Sequence, residues 1–254
     1  MDGYTVVYSQ RLRRENYPVN TQLHNRFSVL FAVLCAAAFG SAQAQQPTAA
    51  ERVDALKTNL AASQASLRHY QWIETTNVSL NGQVKSSVQK RCYYDVNGVL
   101  QKIEVSAAPQ AAPPPGLRGR IVANKKEELT TYMQSAVALV KSYVPPDPAK
   151  IQAVKDAGDV SVQLAGSGAE VKLAFSNYEK PGDSLSVNIN LTNNQMKGLS
   201  VASYLDDPSD AVNLGVIMSA LPAGPVYASA STLDAPAKNL TVVVQNSGYQ
   251  KTAN

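Results

Sequence analysis

Leu185-Ser-Val-Asn-Ile-Asn-Leu191 is one of six short runs between Val160 and Tyr249 in which apolar and polar side chains alternate. The other five are Val160-Ser-Val-Gln-Leu164, Val171-Lys-Leu-Ala-Phe175, Leu199-Ser-Val201, Val212-Asn-Leu214 and Leu240-Thr-Val-Val-Val244. Turn-forming stretches such as Lys180-Pro-Gly-Asp183 separate them. A period of two, bounded by Gly, Pro, Asn and Asp, is typical of half-buried antiparallel strands. We therefore expect a β-meander whose apolar face must be covered by another element.

Three longer strands are predicted before the meander. The first is Tyr70-Gln-Trp-Ile-Glu-Thr-Thr-Asn-Val-Ser-Leu80, and Asn81-Gly82 follows it. Both of those residues tolerate the positive φ of a type I′ turn, so a hairpin is predicted there. The return strand runs from Gln83 to Asp95, and a third strand runs from Val99 to Val105. Strands of this length, with polar residues interspersed, favour a curved and partly open surface.

Three helices are predicted to cover the sheet. The first begins near Thr48 and ends near His69, with Val53, Leu56, Leu60 and Leu67 on one face. The second, from Asn124 to Val144, carries a broad apolar stripe, and the third starts at Asp147-Pro148. Such spacing is typical of amphipathic helices that pack on a core. The predicted fold class is α+β, a curved antiparallel sheet (an unclosed β-barrel) with helices on its open side.

The first 44 residues have the order of an export signal. Basic residues precede Phe27-Ser-Val-Leu-Phe-Ala-Val-Leu-Cys-Ala-Ala-Ala-Phe39, and Ala42-Gln-Ala44 follows. The apolar run is shorter than the ~20 residues that span a bilayer. This order predicts a cleaved signal peptide over residues 1–44, a single domain over residues 45–254, and a periplasmic or secreted location. A buried helix or an uncleaved anchor is the alternative.

Charge and cysteine content narrow the function classes. The predicted signal peptide holds four of the 23 basic and two of the 19 acidic residues, so the remaining chain has a net charge of +2. No clustered basic face indicates a nucleic-acid partner. Cys92 and His69 are the one cysteine and the one histidine after residue 44. They are too few for an intramolecular disulfide or a zinc site, and we expect Cys92 to be buried.

Patterns that would indicate catalysis are weak. His69 is the one histidine available to a catalytic triad, and no Gly-x-Ser-x-Gly sequence accompanies it. Asp206-Asp-Pro-Ser-Asp210 fits a hairpin turn, and its oxygens could also bind calcium. Glu74 has no second acid that the pattern places beside it. The prediction is a protein that is not an enzyme, with no catalytic residues, no metal and no cofactor.

A Pro/Ala-rich stretch, Ala107-Ala-Pro-Gln-Ala-Ala-Pro-Pro-Pro-Gly116, cannot join a strand ladder and is predicted to form a loop. Arg118 and Arg120 follow it. Two interpretations remain open for this pair of cations. They either contact an anion or lipid headgroup, or they lie in a solvated loop.

The predicted elements follow one another as a helix, three long strands, a helical excursion and a β-meander. This order resembles that of the periplasmic lipoprotein-carrier superfamily, which includes the outer-membrane lipoprotein carrier and the lipid-sensing domain of a sigma-factor regulator. Four short sequence segments also resemble segments of exported bacterial proteins of uncharacterised activity: Tyr70-Gln-Trp-Ile-Glu-Thr75, Gln89-Lys-Arg-Cys-Tyr-Tyr94, Pro115-Gly-Leu-Arg-Gly-Arg120 and Pro181-Gly-Asp-Ser-Leu-Ser186. The resemblance implies a half-barrel whose open side is plugged by helices, with an apolar cavity between.

The predicted function is binding of a hydrophobic ligand, a lipid or lipoprotein acyl chain, between the concave sheet and the helix from Asn124 to Val144, as a carrier or sensor. The predicted cavity wall is formed by Tyr70, Trp72, Val78, Leu129, Met133 and Val137. The alternative is a non-catalytic structural or interaction module of the cell envelope with a filled core and a protein partner. Neither function involves nucleic acid, and neither needs an integral membrane span after cleavage.

Overall fold

A computed structural model describes residues 58–59, 61–107, 116–144, 146–165, 168–222 and 224–252. The predicted signal peptide and the beginning of the first predicted helix lie outside the described residues, and so does most of the Pro-rich stretch.

Ten strands form one antiparallel sheet. Their bounds are β1 (Tyr70–Leu80), β2 (Gln83–Tyr94), β3 (Leu100–Ala107), β4 (Val160–Ala165), β5 (Glu170–Ser176), β6 (Ser184–Asn190), β7 (Gln195–Tyr204), β8 (Ala211–Ala220), β9 (Val226–Ala235) and β10 (Leu240–Lys251). The order across the sheet is β3-β2-β1-β10-β9-β8-β7-β6-β5-β4. In the part of the chain that the structure describes, the edge strands β3 and β4 do not pair, so the sheet is open. This arrangement confirms the predicted α+β class.

The β1–β2 hairpin forms where the sequence predicts it. Asn81 and Gly82 have φ values of 52° and 73°. Two successive positive φ values are what a type I′ turn requires, and few residue pairs other than Asn-Gly adopt them readily. The turn brings Leu80 opposite Gln83, and the last strand, β10, pairs with the other side of β1.

The described residues form three α-helices beside the sheet: α1 (residues 58–59 and 61–67), α2 (Leu117–Tyr143) and α3 (Pro148–Asp156). The predicted third helix is confirmed with its cap, since Asp147 Oδ1 accepts a hydrogen bond from Ala149 N at 2.8 Å. The predicted start of α2 at Asn124 was wrong, because the helix begins at Leu117. Leu, Arg and Ala are favourable helix residues, and the helix extends beyond the predicted cap in spite of Gly119 and Val122.

The helices cover one face of the sheet over two apolar clusters. In the first, α3 and the end of α2 pack on β5 to β7; its buried members are Tyr143, Ile151, Val154, Val171, Leu173, Phe175, Tyr178, Leu185, Val187, Ile189, Met196, Leu199 and Val201. In the second, here called the α2 cluster, the middle of α2 packs on β8 to β10; its buried members are Tyr132, Ala136, Val140, Val212, Leu233, Ala235 and Leu240. The predicted apolar stripe of α2 therefore faces the sheet.

Two features of the sheet were missed in the sequence. No run was assigned to β9, and β10 continues to Lys251, beyond the last predicted run, which ends at Val244. The residues Ala228-Ser-Ala-Ser231 are small, so β9 lacks the large apolar side chains that reveal a strand. The extension of β10 matters for the site described next, because it carries Tyr249.

Within the described ranges, none of the helices is both long enough and apolar enough to cross a membrane.

Candidate functional site

Five aromatic residues, Tyr70, Trp72, Tyr94, Tyr227 and Tyr249, form a cluster at one end of β1, β2, β9 and β10. Tyr249 is at its centre. Its ring centroid lies 5.4 Å from that of Trp72, with 9° between the planes. It also lies 4.4 Å from the Tyr227 centroid and 6.3 Å from the Tyr70 centroid. Tyr94 completes the aromatic cluster at 6.0 Å from Trp72.

A bulge in β10 places Tyr249 over Trp72. Gln71 pairs with Gln250 and Ile73 with Ser247, so β10 advances three residues while β1 advances two. Gly248, with a φ of 64°, lies within this bulge. Glycine adopts such a φ without steric cost, which lets the strand bend at this point. The bulge therefore turns the Tyr249 ring towards Trp72.

Asn246 holds the Trp72 indole in place. Trp72 Nε1 donates to Asn246 Oδ1 at 3.1 Å, and Asn246 Nδ2 donates to the Ala228 carbonyl at 2.9 Å. These two bonds connect β1, β10 and β9. Trp72 is only 9% exposed, and a buried indole N–H needs such a partner. The indole orientation is thus fixed before any ligand arrives.

The aromatic cluster is uncharged at neutral pH. Burial raises the pKa of Tyr249, and the neighbouring Tyr227 raises it further. Burial likewise raises the pKa of Tyr94. Cys92 pairs with Trp72 across β1 and β2 and is fully buried, as predicted. Burial, with Glu74 as the next contribution, raises the pKa of its thiol to about 11.

Between the aromatic cluster and the α2 cluster, one face of β1 carries Glu74 and Thr76. Alternate residues of a strand share a face, so Trp72, Glu74, Thr76 and Val78 all lie on the helix-covered side. Glu74 Oε2 is 2.5 Å from Lys102 Nζ on the β3 side. On the β10 side, Glu74 pairs with Asn246 and Thr76 pairs with Val244. The charged part of this strip therefore lies towards β3, and its less polar part towards β10.

The predicted cavity-wall residues fall into two groups. Tyr70 and Trp72 belong to the aromatic cluster. Val78, Leu129 and Met133 are half-buried against the α2 cluster. Val137 is 40% exposed on α2. The structure thus places the two main groups at opposite ends of β1, and their role as a cavity wall stays a prediction.

Sequence reasoning missed Tyr249, Tyr227 and Tyr94 as candidate site residues. Tyr249 lies beyond the last predicted run, and Tyr227 lies in the strand that was not assigned. One signal was available for Tyr249. β1 was predicted to have eleven residues, and a strand of that length needs a neighbour of similar length. The six residues after Gln245 extend β10 enough to pair with all of β1.

Away from the aromatic cluster, an open groove of about 550 Å³ lies between α2 and the turn after β7. Its walls include Glu127, Glu128, Asp206 and Asp210. Tyr132 Oη donates to Asp210 Oδ1 at 2.6 Å. Burial and this hydrogen bond raise the pKa of Tyr132. Among the residues that the structure describes, no group of three or more His, Cys, Asp or Glu is placed to hold a metal ion.

The remaining candidates from the sequence lie in turns or at helix ends. Residues Asp206 to Asp210 form the β7–β8 turn, in which Ser209 N donates to Asp207 Oδ1 at 2.9 Å. His69 is exposed at the end of α1, and its carbonyl accepts from Thr252 N at 2.8 Å. Arg118 and Arg120 are exposed in the first turn of α2 rather than in a loop.

Over its described residues, the chain forms an open, ten-stranded antiparallel sheet with helices covering one of its faces. No protein-family model and no curated protein matches it. It is similar to a solved DUF1329 family protein from Desulfovibrio piger, with a TM-score of 0.30 and 7% identity, over 78% of this chain and 91% of that one. It is also similar to a solved LolA superfamily protein from Nitrosomonas europaea, with a TM-score of 0.28 and 8% identity, over 73% of this chain and 86% of that one.

Proposed function

We propose that the protein binds the apolar part of an amphiphile, such as the acyl chain of a lipid or lipoprotein, on the helix-covered face of its sheet. After export this carrier or sensor would act in the periplasm. The supporting observation is the position of the aromatic cluster. Trp72 of this cluster lies on the same face of β1 as Val78, which packs against the α2 cluster. The two residues are six positions apart, and that separation is about 20 Å along a strand.

The strip between the two clusters is the proposed path of the ligand. Along β10 and β9 it is formed by Val244, Val242 and Ser231, all half-buried. An extended hydrocarbon chain on this side avoids the ion pair of Glu74 and Lys102. Val78, Leu129 and Met133 would contact one end of it, and Trp72 with Tyr249 the other. Val78, Leu129, Met133 and Tyr249 are half-buried, so they still have surface to lose on binding, whereas Trp72 is already mostly buried.

Burial of the hydrocarbon supplies the affinity. Each methylene removed from water contributes about 0.8 kcal/mol, so a chain of moderate length needs few polar contacts. The hydrogen bond from Trp72 to Asn246 fixes the indole in advance, which lowers the entropy cost of binding. The neutral aromatic cluster adds no charge that would have to be desolvated.

Titration with a fluorescent fatty acid tests this function. We expect saturable binding, and we expect Tyr249→Ala to weaken it. Tyr93→Ala is the matched control, because Tyr93 neighbours Cys92 and Tyr94 on β2 and so lies on the opposite face of the sheet. Equal affinities for the two variants, or no saturable binding by the native chain, would contradict the proposal. Native mass spectrometry of the purified protein would identify a ligand that purifies with it.

A second function, an interaction module of the cell envelope, is favoured by the open sheet edges. On β4, Val162 is 59% and Leu164 63% exposed, and on β3 Val105 is 52% exposed. An unpaired strand with apolar side chains is a template for pairing with another chain. This function predicts no fatty-acid uptake. It also predicts that a photocrosslinker at position 162 captures an envelope protein, and that Leu164→Lys abolishes the capture.

A further inference from the structure

The first three turns of α2 are exposed to solvent. From Leu117 to Glu128 every residue whose burial is described is exposed, and burial begins at Leu129. Three of these residues are large and apolar: Leu117 is 78% exposed, Ile121 57% and Val122 47%. Exposed apolar side chains that are close together mark interaction sites more often than isolated ones do.

The same segment carries a concentrated positive charge. Arg118, Arg120, Lys125 and Lys126 lie within residues 117–126, and the first acidic residue, Glu127, comes after them. The whole chain has a formal net charge of only +4. The helix tip, defined as residues 117–126, therefore combines four cations with three exposed apolar side chains.

Helical geometry puts the two kinds of side chain within reach of one surface. Leu117 and Ile121 are one turn apart and share a face. Arg118, Val122 and Lys125 lie along the adjacent line of the same helix. The long aliphatic stems of arginine and lysine can lie beside apolar groups while their charged ends reach outwards to anions.

We infer that the helix tip docks on the surface of an anionic phospholipid bilayer. Arg118, Arg120, Lys125 and Lys126 bind lipid phosphates, while Leu117, Ile121 and Val122 enter the boundary between headgroups and acyl chains. Charge complementarity selects this partner, because anionic lipids attract clustered cations. The three apolar side chains gain more at a lipid interface than on a purely polar polyanion.

This inference goes beyond the proposed function and does not depend on it. The helix tip is separate from the aromatic cluster and from the strip between β1 and β10. A variant at the tip should therefore leave fatty-acid uptake unchanged, and a variant of Tyr249 should leave bilayer docking unchanged.

Sedimentation with lipid vesicles tests the docking. The protein is purified from cells that express the full sequence, and its N-terminus is identified by intact mass. Vesicles of phosphatidylcholine containing phosphatidylglycerol are compared with vesicles of phosphatidylcholine alone. We expect binding to the anionic vesicles, weakened by added salt. Arg118→Gln with Arg120→Gln should lower the partition coefficient on the order of tenfold.

Two further variants separate the helix tip from general charge. Lys85→Gln with Lys197→Gln removes the same net charge from exposed positions on β2 and β7, and it should leave partitioning nearly unchanged. Ile121→Ser with Val122→Ser should weaken the binding that persists at high salt. Circular dichroism confirms that each variant is folded. No binding to anionic vesicles, or equal losses for the two charge pairs, would overturn the inference.

Discussion

Trp72 and Tyr249 lie nearly parallel, with 5.4 Å between ring centroids and 9° between ring planes, although they are 177 residues apart in the chain. The contact joins β1 to β10, the first and last of the strands that the structure describes. It depends on a bulge in β10 and on the hydrogen bond from Trp72 to Asn246. The pair is thus both a link between the ends of the chain and the centre of the proposed binding site.

Replacing Trp72 by Ala should weaken fatty-acid binding at least tenfold, because the ligand loses the largest ring in the aromatic cluster. Trp72→Phe keeps a ring at this position, although it loses the bond to Asn246, and should retain much of the affinity. Fluorescence titration with a labelled fatty acid measures both variants. A folded Trp72→Ala protein with unchanged affinity would remove Trp72 from the binding site.

Trp72 also gives a direct readout in the native chain, since it is the single tryptophan in the sequence. Binding of an unlabelled fatty acid over the aromatic cluster should change its emission intensity or wavelength in a saturable way. The titration midpoint should match that of the labelled ligand. An emission spectrum that stays constant while the labelled ligand binds would place the site elsewhere on the molecule.

Tyr143 anchors the end of α2 in the protein interior. Its hydroxyl donates to Asp183 and lies 2.8 Å from Ser203 Oγ, and both partners are buried. Tyr143→Phe removes these bonds and should lower the free energy of unfolding by about 1–3 kcal/mol. Tyr132→Phe, a matched change on the same helix, loses one bond to the less buried Asp210 and should cost about 1 kcal/mol. Urea unfolding measures both, and a larger cost for Tyr132→Phe would contradict this ranking.

Much of the fold could be predicted because local patterns specify it. β1 matches its predicted bounds, since eleven residues of strand pattern end at an Asn-Gly turn. α3 follows its Asp147 cap, and the strands rich in Val, Leu and Ile appear where alternation indicates them. In each case the signal lies within a few neighbouring residues.

The candidate site was only half predicted because it depends on contacts distant in sequence. Tyr70 and Trp72 carry strong local signals, and both were identified. Tyr249 needs the pairing of β1 with β10, which no short pattern reveals. It also needs the bulge at Gly248, which rotates the ring towards Trp72. Small side chains in β9 concealed the strand that carries Tyr227.

Alkaline pH should destabilise the protein through Cys92. Burial raises the pKa of this thiol from its usual 9.0 to about 11. Between these pH values the unfolded chain has lost the proton and the folded chain keeps it. The free energy of unfolding should therefore be insensitive to this group below pH 9 and fall as the pH rises towards about 11.

Cys92→Ala isolates that contribution. The buried tyrosines also have raised pKa values, Tyr178 reaching about 12, so some alkaline destabilisation should persist in the variant. The decrease in unfolding free energy between pH 9 and about 11 should be smaller than in the native chain. Urea titrations across this range measure the difference, and identical pH profiles would show that Cys92 does not contribute.

Gly198 on β7 should tolerate no side chain, whereas Gly215 on the neighbouring β8 should accept one. The β6–β7 pairing shifts register between Asn188 and Ile189, which makes Lys197 an extra residue on β7 and bends the strand beside Gly198. A Cβ at Gly198 would overlap the backbone carbonyl oxygen of Val216, but one at Gly215 would meet nothing within 4 Å.

Backbone cannot move aside as a flexible side chain can, so Gly198→Ala should cost about 1–3 kcal/mol. Gly215→Ala should be neutral or stabilise by up to about 1 kcal/mol, because alanine reduces the freedom of the unfolded chain. Urea unfolding of both variants measures the difference, and equal stabilities would mean that β7 and β8 are not so closely apposed at the bulge.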